Sequence, residues 1–193
     1  MIPIEFHKIF YKCTHFGNFT LASGETSPFY MNFRNLVSDQ ESLKKIGRLF
    51  CEKILFENLS LKGIAAIPFS ALPIGFEVGR IMGYPLIYVR PPKNYGTKAS
   101  VEGIFQEGAK FVLIDDVISS GVSKVDAIKV LREAGLVVKD LVVLVDRRKI
   151  SERTNEIEGC KIHSIFKAED ILHALISYSG KDESLRAVKF LNS

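Results

Sequence analysis

Two adjacent acids stand directly before a serine- and glycine-rich turn in the segment LIDDVISSGVS, residues 113–123. The apolar residues before Asp115 and Asp116 are typical of a buried strand, and the small residues after them are typical of a turn into a helix. Backbone N–H groups at a helix start, with hydroxyls and a glycine, form an anion site. Because carboxylates and phosphates repel each other, the acids and the turn must contact different parts of one ligand.

A ribose phosphate has both of the parts that this segment could bind. Its hydroxyl groups suit the carboxylates of Asp115 and Asp116, and its phosphate suits the turn. The alternative is purely structural: Ser123 caps the helix and the other serines only form the turn. Two carboxylates directly before the turn count against this alternative, since helix capping does not need them. The segment that follows the acids consists of Val117, Ile118, Ser119, Ser120, Gly121, Val122 and Ser123.

A second polar segment, RPPKNYGTKASVEG at 90–103, contains several residues that could bind anions. It is long for an irregular segment inside a compact domain unless it has a function. Arg90 and Lys93 can neutralise an anionic ligand, and a loop of this kind can close over a ligand and exclude water. The alternative is a solvated, lysine-containing loop without a ligand.

The elements that must position these residues alternate between apolar strands and amphipathic helices. Strands with continuous apolar runs, separated by helices of about 10–15 residues, predict a mostly parallel α/β sheet covered on both faces. In such a sheet, ligands bind beyond the carboxyl ends of the strands. A helix and a hairpin precede the sheet. The predicted helices are 4–13, 39–59, 71–83, 122–135 and the residues from 167 onward; the hairpin strands are 19–23 and 28–33, and the sheet strands are 63–69, 85–90, 109–116, 136–147 and 161–166.

Length and composition favour one globular domain of 193 residues, with 47% hydrophobic and 25% charged residues. The net charge of +4 suits a small anionic ligand as well as nucleic acid, and there is no block of like charges. Three widely spaced cysteines without a CxxC pair predict neither a disulfide framework nor a zinc site. The early charges oppose a signal peptide, and no apolar run approaches the ~20 residues of a membrane span. We therefore expect a cytoplasmic protein without a membrane partner, in which the four scattered histidines are structural or on the surface.

The segment FVLIDDVISSGVS resembles the phosphoribosyl pyrophosphate (PRPP) signature of type I phosphoribosyltransferases, with its apolar strand, two acids, serine pair, glycine and final serine. From NFTLASGETSPFYMNFR onward the chain is similar to orotate phosphoribosyltransferases, most of all to the form that is the first domain of UMP synthase. There a similar KxYGTK segment precedes VEG. The resemblance implies a single type I phosphoribosyltransferase domain over 1–193, with a small N-terminal hood at about 1–36 and a core at about 37–193.

This resemblance also implies a reaction: the phosphoribosyl group of PRPP moves to orotate, and Mg²⁺ is held mainly by PRPP rather than by protein ligands. Asp115 and Asp116 would hold the ribose diol, and the segment 117–123 would bind the 5′-phosphate. Arg90, Lys93 and Tyr95 would contact the leaving pyrophosphate; Tyr95 stands where some relatives carry His. The segment 90–103 would be the catalytic loop, which reaches the neighbouring active site of a homodimer.

Two further parts of the site follow from the same resemblance. Phe69 and Ser70 in IPFSALP match the loop under the pyrophosphate, although Pro68 and Pro73 could simply bound a turn. The orotate site would consist of Tyr30, Met31, Ser119 and Arg147. Arg147 suits the carboxylate of orotate because its guanidinium can bind bidentately; the alternative is a surface arginine in the run 147–149.

Two positions depart from the pattern of the family. Ala22 and Val89 stand where relatives usually carry basic residues, and losing cations at an anionic site weakens binding. Two alternatives therefore stay open: a transferase for another base, or a PRPP-binding regulator without catalysis. Regulators that resemble purine repressors carry a DNA-binding segment before the domain. Residues 1–59 are already used by the predicted helix, hairpin and second helix, so we expect no nucleic-acid partner.

Overall fold

A helix and a hairpin stand at the start of the fold. The structure is a computed structural model that describes residues 2–21, 24–90, 100–179 and 181–193. Helix α1 (Ile4–Cys13) leads directly into β1 (Thr14–Thr20), which pairs antiparallel with β2 (Thr26–Met31). α1 buries Phe6, Ile9 and Phe10 on one face, the helical spacing that its sequence predicts. A short 3₁₀ helix over Arg34–Ser38 then connects the hairpin to the rest of the chain.

Seven strands form the central sheet, in the order β5-β4-β3-β6-β7-β9-β8. The five inner strands are parallel, and the two-residue strands at the edges are antiparallel. Their bounds are β3 (Gly63–Ala66), β4 (Leu86–Val89), β5 (Val101–Glu102), β6 (Lys110–Ile118), β7 (Val137–Asp146), β8 (Glu156–Ile157) and β9 (Cys160–Lys167).

Helices cover both faces of this sheet and divide the core in two. Along β6, Val112 and Ile114 pack on the side of α1, α2 (Gln40–Phe56) and α3 (Ala71–Met82), whereas Phe111 and Leu113 pack against α4 (Val122–Glu133). The mostly parallel α/β sheet with flanking helices is confirmed. The helices are α2 (Gln40–Phe56), α3 (Ala71–Met82), α4 (Val122–Glu133), α5 (Ala168–Ala174), α6 (Ile176–Ser179) and α7 (Lys181–Asn192). Within the described parts of the chain, no helix is both long and apolar enough to span a bilayer.

The prediction of an irregular loop over 90–103 is wrong at the C-terminal end of that range. Val101 pairs with Val89 and Glu102 with Tyr88, so the chain returns to the sheet as an edge strand. Two residues are too few for a periodicity signal, and only the pairing with β4 defines this strand.

Candidate active site

The carboxyl ends of β6 and β7 bring the predicted site residues together. The two strands stay in register until Ile118 lies opposite Asp146, and the N–H of Arg147 then donates to the carbonyl of Ile118 at 3.0 Å. Asp115 and Asp116 lie near the end of β6, two residues before the serine turn (residues 119–123). The acids, the turn and Arg147 thus meet at one edge of the sheet, where ligands bind in folds of this class.

Gly121 shapes the serine turn. Its φ is +80°, and a Cβ at this position would lie 2.6 Å from Cδ1 of Ile157. Its carbonyl accepts the N–H groups of Lys124 and Val125 at 2.9 and 3.0 Å, which are the first bonds of α4. Gly121 is the N-cap and Ser123 lies inside the helix, with no side-chain cap, so the capping alternative for Ser123 is wrong. The N–H groups that precede these first helical bonds are the donors a phosphate could use.

The two acids have different surroundings. Asp115 is 3% exposed; its Oδ1 accepts the N–H of Asp116 at 2.9 Å, and its Oδ2 lies 2.6 Å from Nζ of Lys124. Burial raises the pKa of the Asp115 carboxyl to about 7, and the Lys124 ammonium opposes that shift. Asp116 is half-buried, and its Oδ1 accepts the N–H of Val117 at 2.8 Å. Sequence reasoning missed Lys124, for which the only signal was a basic residue directly after the turn.

Arg147 is buried, and the alternative of a surface arginine is wrong. Its Nη2 donates to Oγ of Ser27 at 3.0 Å, and its guanidinium carbon lies 4.7 Å from the ring centroid of Phe29. Its Nε has no hydrogen-bond partner among the described residues. Burial lowers the pKa of this guanidinium. The contacts with Ser27 and Phe29 bring the hairpin to the end of β7.

A small cavity opens between the serine turn, the hairpin and the end of β7. Sequence reasoning missed Lys149, whose Nζ lies 2.7 Å from Oε1 of Glu25 and 5.1 Å from the ring centroid of Phe190. Two of the predicted orotate residues do not line this cavity: Tyr30 accepts a hydrogen bond from Arg34 at 3.5 Å, and Met31 is buried in the core. The cavity is lined by Leu21, Ser119, Ser120, Arg147, Lys149 and Phe190, among others.

Arg90 follows β4 at the neighbouring strand end. Its guanidinium pairs with the carboxylate of Glu102 on β5, and its N–H donates to the carbonyl of Ser100 at 2.9 Å. Val89 packs against the core on the α4 side and pairs with Val101. Three positions discussed above, Ala22, Lys93 and Tyr95, lie outside the described residues.

The segment between β3 and α3 lies at the same edge of the sheet. Phe69 is exposed and Ser70 is half-buried directly before α3, and the peptide bond between Pro68 and Phe69 is cis. Among the residues that the structure describes, no three His, Cys, Asp or Glu side chains cluster as metal ligands would.

A buried charge network supports the strand end that carries Arg147. Asp146 is 0% exposed; its Oδ1 accepts Nε of Arg148 at 3.0 Å and its Oδ2 accepts Nη2 at 2.9 Å. Nζ of Lys167 lies 3.3 Å from the same Oδ2. Burial opposes ionisation of Asp146, but the hydrogen bonds and charge of Arg148 outweigh it and hold the pKa of this carboxyl below its ordinary value.

Comparison with known proteins identifies close relatives, although no family model matches the chain. The orotate phosphoribosyltransferase of Caenorhabditis elegans is 31% identical over 167 residues, which cover 86% of this chain and 74% of that protein. The orotate phosphoribosyltransferase of Methanocaldococcus jannaschii is 33% identical over 160 residues, covering 82% and 89%. The solved UMP synthase of Leishmania donovani superposes with a TM-score of 0.85 at 33% identity; the match covers 97% of this chain but 41% of that protein.

Proposed function

The chain belongs to the orotate phosphoribosyltransferase family, and we propose that it transfers the phosphoribosyl group of PRPP to orotate. The products are orotidine 5′-monophosphate and pyrophosphate, a step of pyrimidine biosynthesis. The observation that carries this proposal is the buried guanidinium of Arg147 beside the serine turn. It puts a cation that could bind an acidic base next to a turn that could bind a phosphate, where β6 and β7 end side by side.

The ribose phosphate would bind at the end of β6. The turn from Ser119 to Ser123 would hold the 5′-phosphate through backbone N–H groups and hydroxyls. Asp115 and Asp116 would accept hydrogen bonds from the ribose hydroxyls. This division keeps the acids away from the phosphate and solves the charge conflict within LIDDVISSGVS.

Orotate would bind in the cavity beside Arg147. A buried guanidinium with an unpartnered Nε is costly unless an anion pairs with it. The carboxylate of orotate is planar and can accept two parallel N–H bonds from this group. Ser119 lines the same cavity, so the base would lie directly beside the ribose.

Release of pyrophosphate needs positive charge, because negative charge builds on the leaving group while the ribosyl centre becomes cationic. Arg90, Lys93 and Tyr95 would supply contacts to it, and the segment with Phe69 and Ser70 would lie beneath it. Since Arg90 is paired with Glu102, the pyrophosphate would compete with this carboxylate for the guanidinium. We propose that Mg²⁺ arrives on PRPP, because this ion keeps phosphate and water ligands and rarely needs a protein cage.

We further propose a cytoplasmic homodimer in which the loop within 90–103 reaches the partner's site. Three buried free cysteines suit a reducing compartment. The exposed Phe69, just before α3, and the exposed Phe76, in the middle of α3, provide apolar surface for a second subunit.

A spectrophotometric assay with orotate, PRPP and Mg²⁺ tests the reaction. We expect orotate consumption that depends on PRPP, and Arg147→Met should abolish most of it while Lys129→Gln, an exposed change on α4, leaves it intact. Turnover only with another base would contradict orotate as the substrate. PRPP binding without turnover, with activity appearing in Ala22→Lys, would instead identify a non-catalytic PRPP-binding protein.

A further inference from the structure

Lys124 occupies a position that normally disfavours a lysine. Its side chain is 8% exposed, whereas lysine ammonium groups nearly always stay in water. It also lies in the first turn of α4, where the helix dipole favours acids rather than cations. A cation held against both effects needs a strong local partner.

That partner is the Asp115 carboxylate near the end of β6, where we propose that the ribose binds. Nζ of Lys124 lies 2.6 Å from Oδ2 of Asp115 and 3.2 Å from Oγ of Ser123. One ammonium group therefore contacts both an acid of the ribose site and a hydroxyl of the serine turn. The contact with Asp115 is buried, because both partners are buried, whereas Ser123 is exposed.

Lys124 is the one cation that faces Asp115 among the described residues. The other charged group near this carboxyl is Asp116 on the same strand, whose negative charge opposes ionisation of Asp115. From the neighbouring strands, β7 places Val143 opposite Asp115, and β3 ends at Ala66, one position before it. Burial raises the pKa of Asp115 even with the lysine present, so loss of the lysine would favour the protonated acid further.

We infer that Lys124 is a positioning residue for PRPP: its ammonium favours the ionised form of Asp115 and fixes this carboxylate beside the serine turn. An ionised carboxylate only accepts hydrogen bonds, as a ribose hydroxyl requires, whereas a protonated one has lost part of this capacity. The inference rests on the proposed binding of PRPP. It assigns Lys124 no contact with the reacting atoms, so its removal should affect PRPP affinity more than turnover.

The experiment measures PRPP affinity by calorimetry, with Mg²⁺, from pH 6 to 9 for the unmodified chain, Lys124→Gln and Lys124→Arg. We expect Lys124→Gln to weaken PRPP binding about tenfold or more near pH 7. This corresponds to the loss of roughly one charge-assisted hydrogen bond, the one between the Asp115 carboxylate and a ribose hydroxyl. As pH is lowered, the PRPP affinity of Lys124→Gln should begin to fall at a higher pH than that of the unmodified chain. The reason is that Asp115 binds a proton more readily without the lysine. Lys124→Arg keeps the charge and should retain most of the affinity.

Lys129→Gln is the matched control. Lys129 lies on the same helix, but its side chain is 57% exposed and its ion pair with Glu158, at 3.9 Å, is long. It should leave both affinity and pH dependence unchanged. Unaltered affinity and pH dependence in folded Lys124→Gln would overturn the inference. If the unmodified chain bound no PRPP, the proposed function would fail instead, which keeps the two outcomes separate.

A double variant covers the case in which Lys124→Gln does not fold. Asp115→Asn with Lys124→Gln leaves neither buried charge unpaired and is compared with Asp115→Asn alone. If Lys124 acts through Asp115, the second substitution causes no further loss of PRPP affinity. A further loss of about tenfold would mean that Lys124 contacts the ligand by itself and would contradict the positioning role.

Discussion

Replacement of Asp146 by alanine should destabilise the protein strongly, because this carboxylate is 0% exposed and accepts bonds from two cations. Arg148 donates to it from the backbone N–H at 3.1 Å, from Nε at 3.0 Å and from Nη2 at 2.9 Å, and Lys167 lies at 3.3 Å. Charge-assisted bonds contribute about 1.5–3 kcal/mol each, but a plain sum overstates the loss.

Two facts reduce that sum. Arg148 keeps its bonds to Oγ1 and the carbonyl of Thr154, at 3.2 and 3.1 Å, and the half-exposed Lys167 can return to water. What is left is a nearly buried guanidinium without its counter-ion. We therefore expect the free energy of unfolding to fall by about 3–5 kcal/mol, the cost of breaking a buried pair from one side.

Urea unfolding at pH 7 measures this loss, with Lys129→Gln as the control. The exposed pair of Lys129 and Glu158 should contribute less than about 1 kcal/mol. The pKa of Asp146 lies below its ordinary value in the folded state, so its stabilisation is present above the unfolded value and is lost as pH falls through the folded value. The gap between native chain and variant should therefore narrow in acid. A loss at pH 7 no larger than that of the control would refute the reasoning.

Three further substitutions test the site and its support. Gly121→Ala forces a Cβ to 2.6 Å from Ile157 at a φ of +80° and should lower the unfolding free energy by more than about 1–2 kcal/mol; Gly108→Ala, with φ +74° but open space, isolates the backbone strain in the same urea titration. Arg147→Lys loses the planar fork and should raise the KM for orotate by about tenfold or more, with the KM for PRPP nearly unchanged in steady-state assays. The buried ring of His163 lies between two carboxylates, with Nδ1 3.3 Å from Oε2 of Glu57 and Nε2 2.9 Å from Oδ1 of Asp140. His163→Leu removes both contacts and should lower the thermal unfolding temperature, whereas an unchanged temperature would show that the ring contributes nothing.

The sequence predicts the frame of the fold well because long apolar strands and amphipathic helices carry periodic signals. α1 has the predicted bounds, and the parallel inner strands follow the predicted order along the chain. The edge strands β5 and β8 could not be found, since each has two residues and is defined only by its partner. β1 begins at Thr14 rather than at residue 19 because pairing with Met31 extends it.

Part of the candidate site could likewise be predicted from the sequence, and part could not. Residues 115–123 are contiguous, so strand, turn and helix signals alone indicate a ribose phosphate. The difference between Asp115 and Asp116 could not be predicted, because it depends on which acid meets Lys124 from α4. The contact of Arg147 with Ser27 joins residues 120 positions apart, a pairing that only the folded chain reveals. The binding and catalytic roles of all the predicted site residues stay predictions.

The bond between Arg147 and Ser27 also couples local opening of the hairpin to the occupancy of the base cavity. Any fluctuation that moves the hairpin away from the end of β7 breaks this bond and takes Leu21 and Glu25, which connect β1 to β2, out of the cavity wall. A ligand held by Arg147 binds only the closed form and must therefore suppress such openings by mass action. Amide protons of β1 and β2 should then exchange with deuterium more slowly as orotate is added, even where the base touches none of them. The hairpin would thus report ligand binding as a change in its own protection.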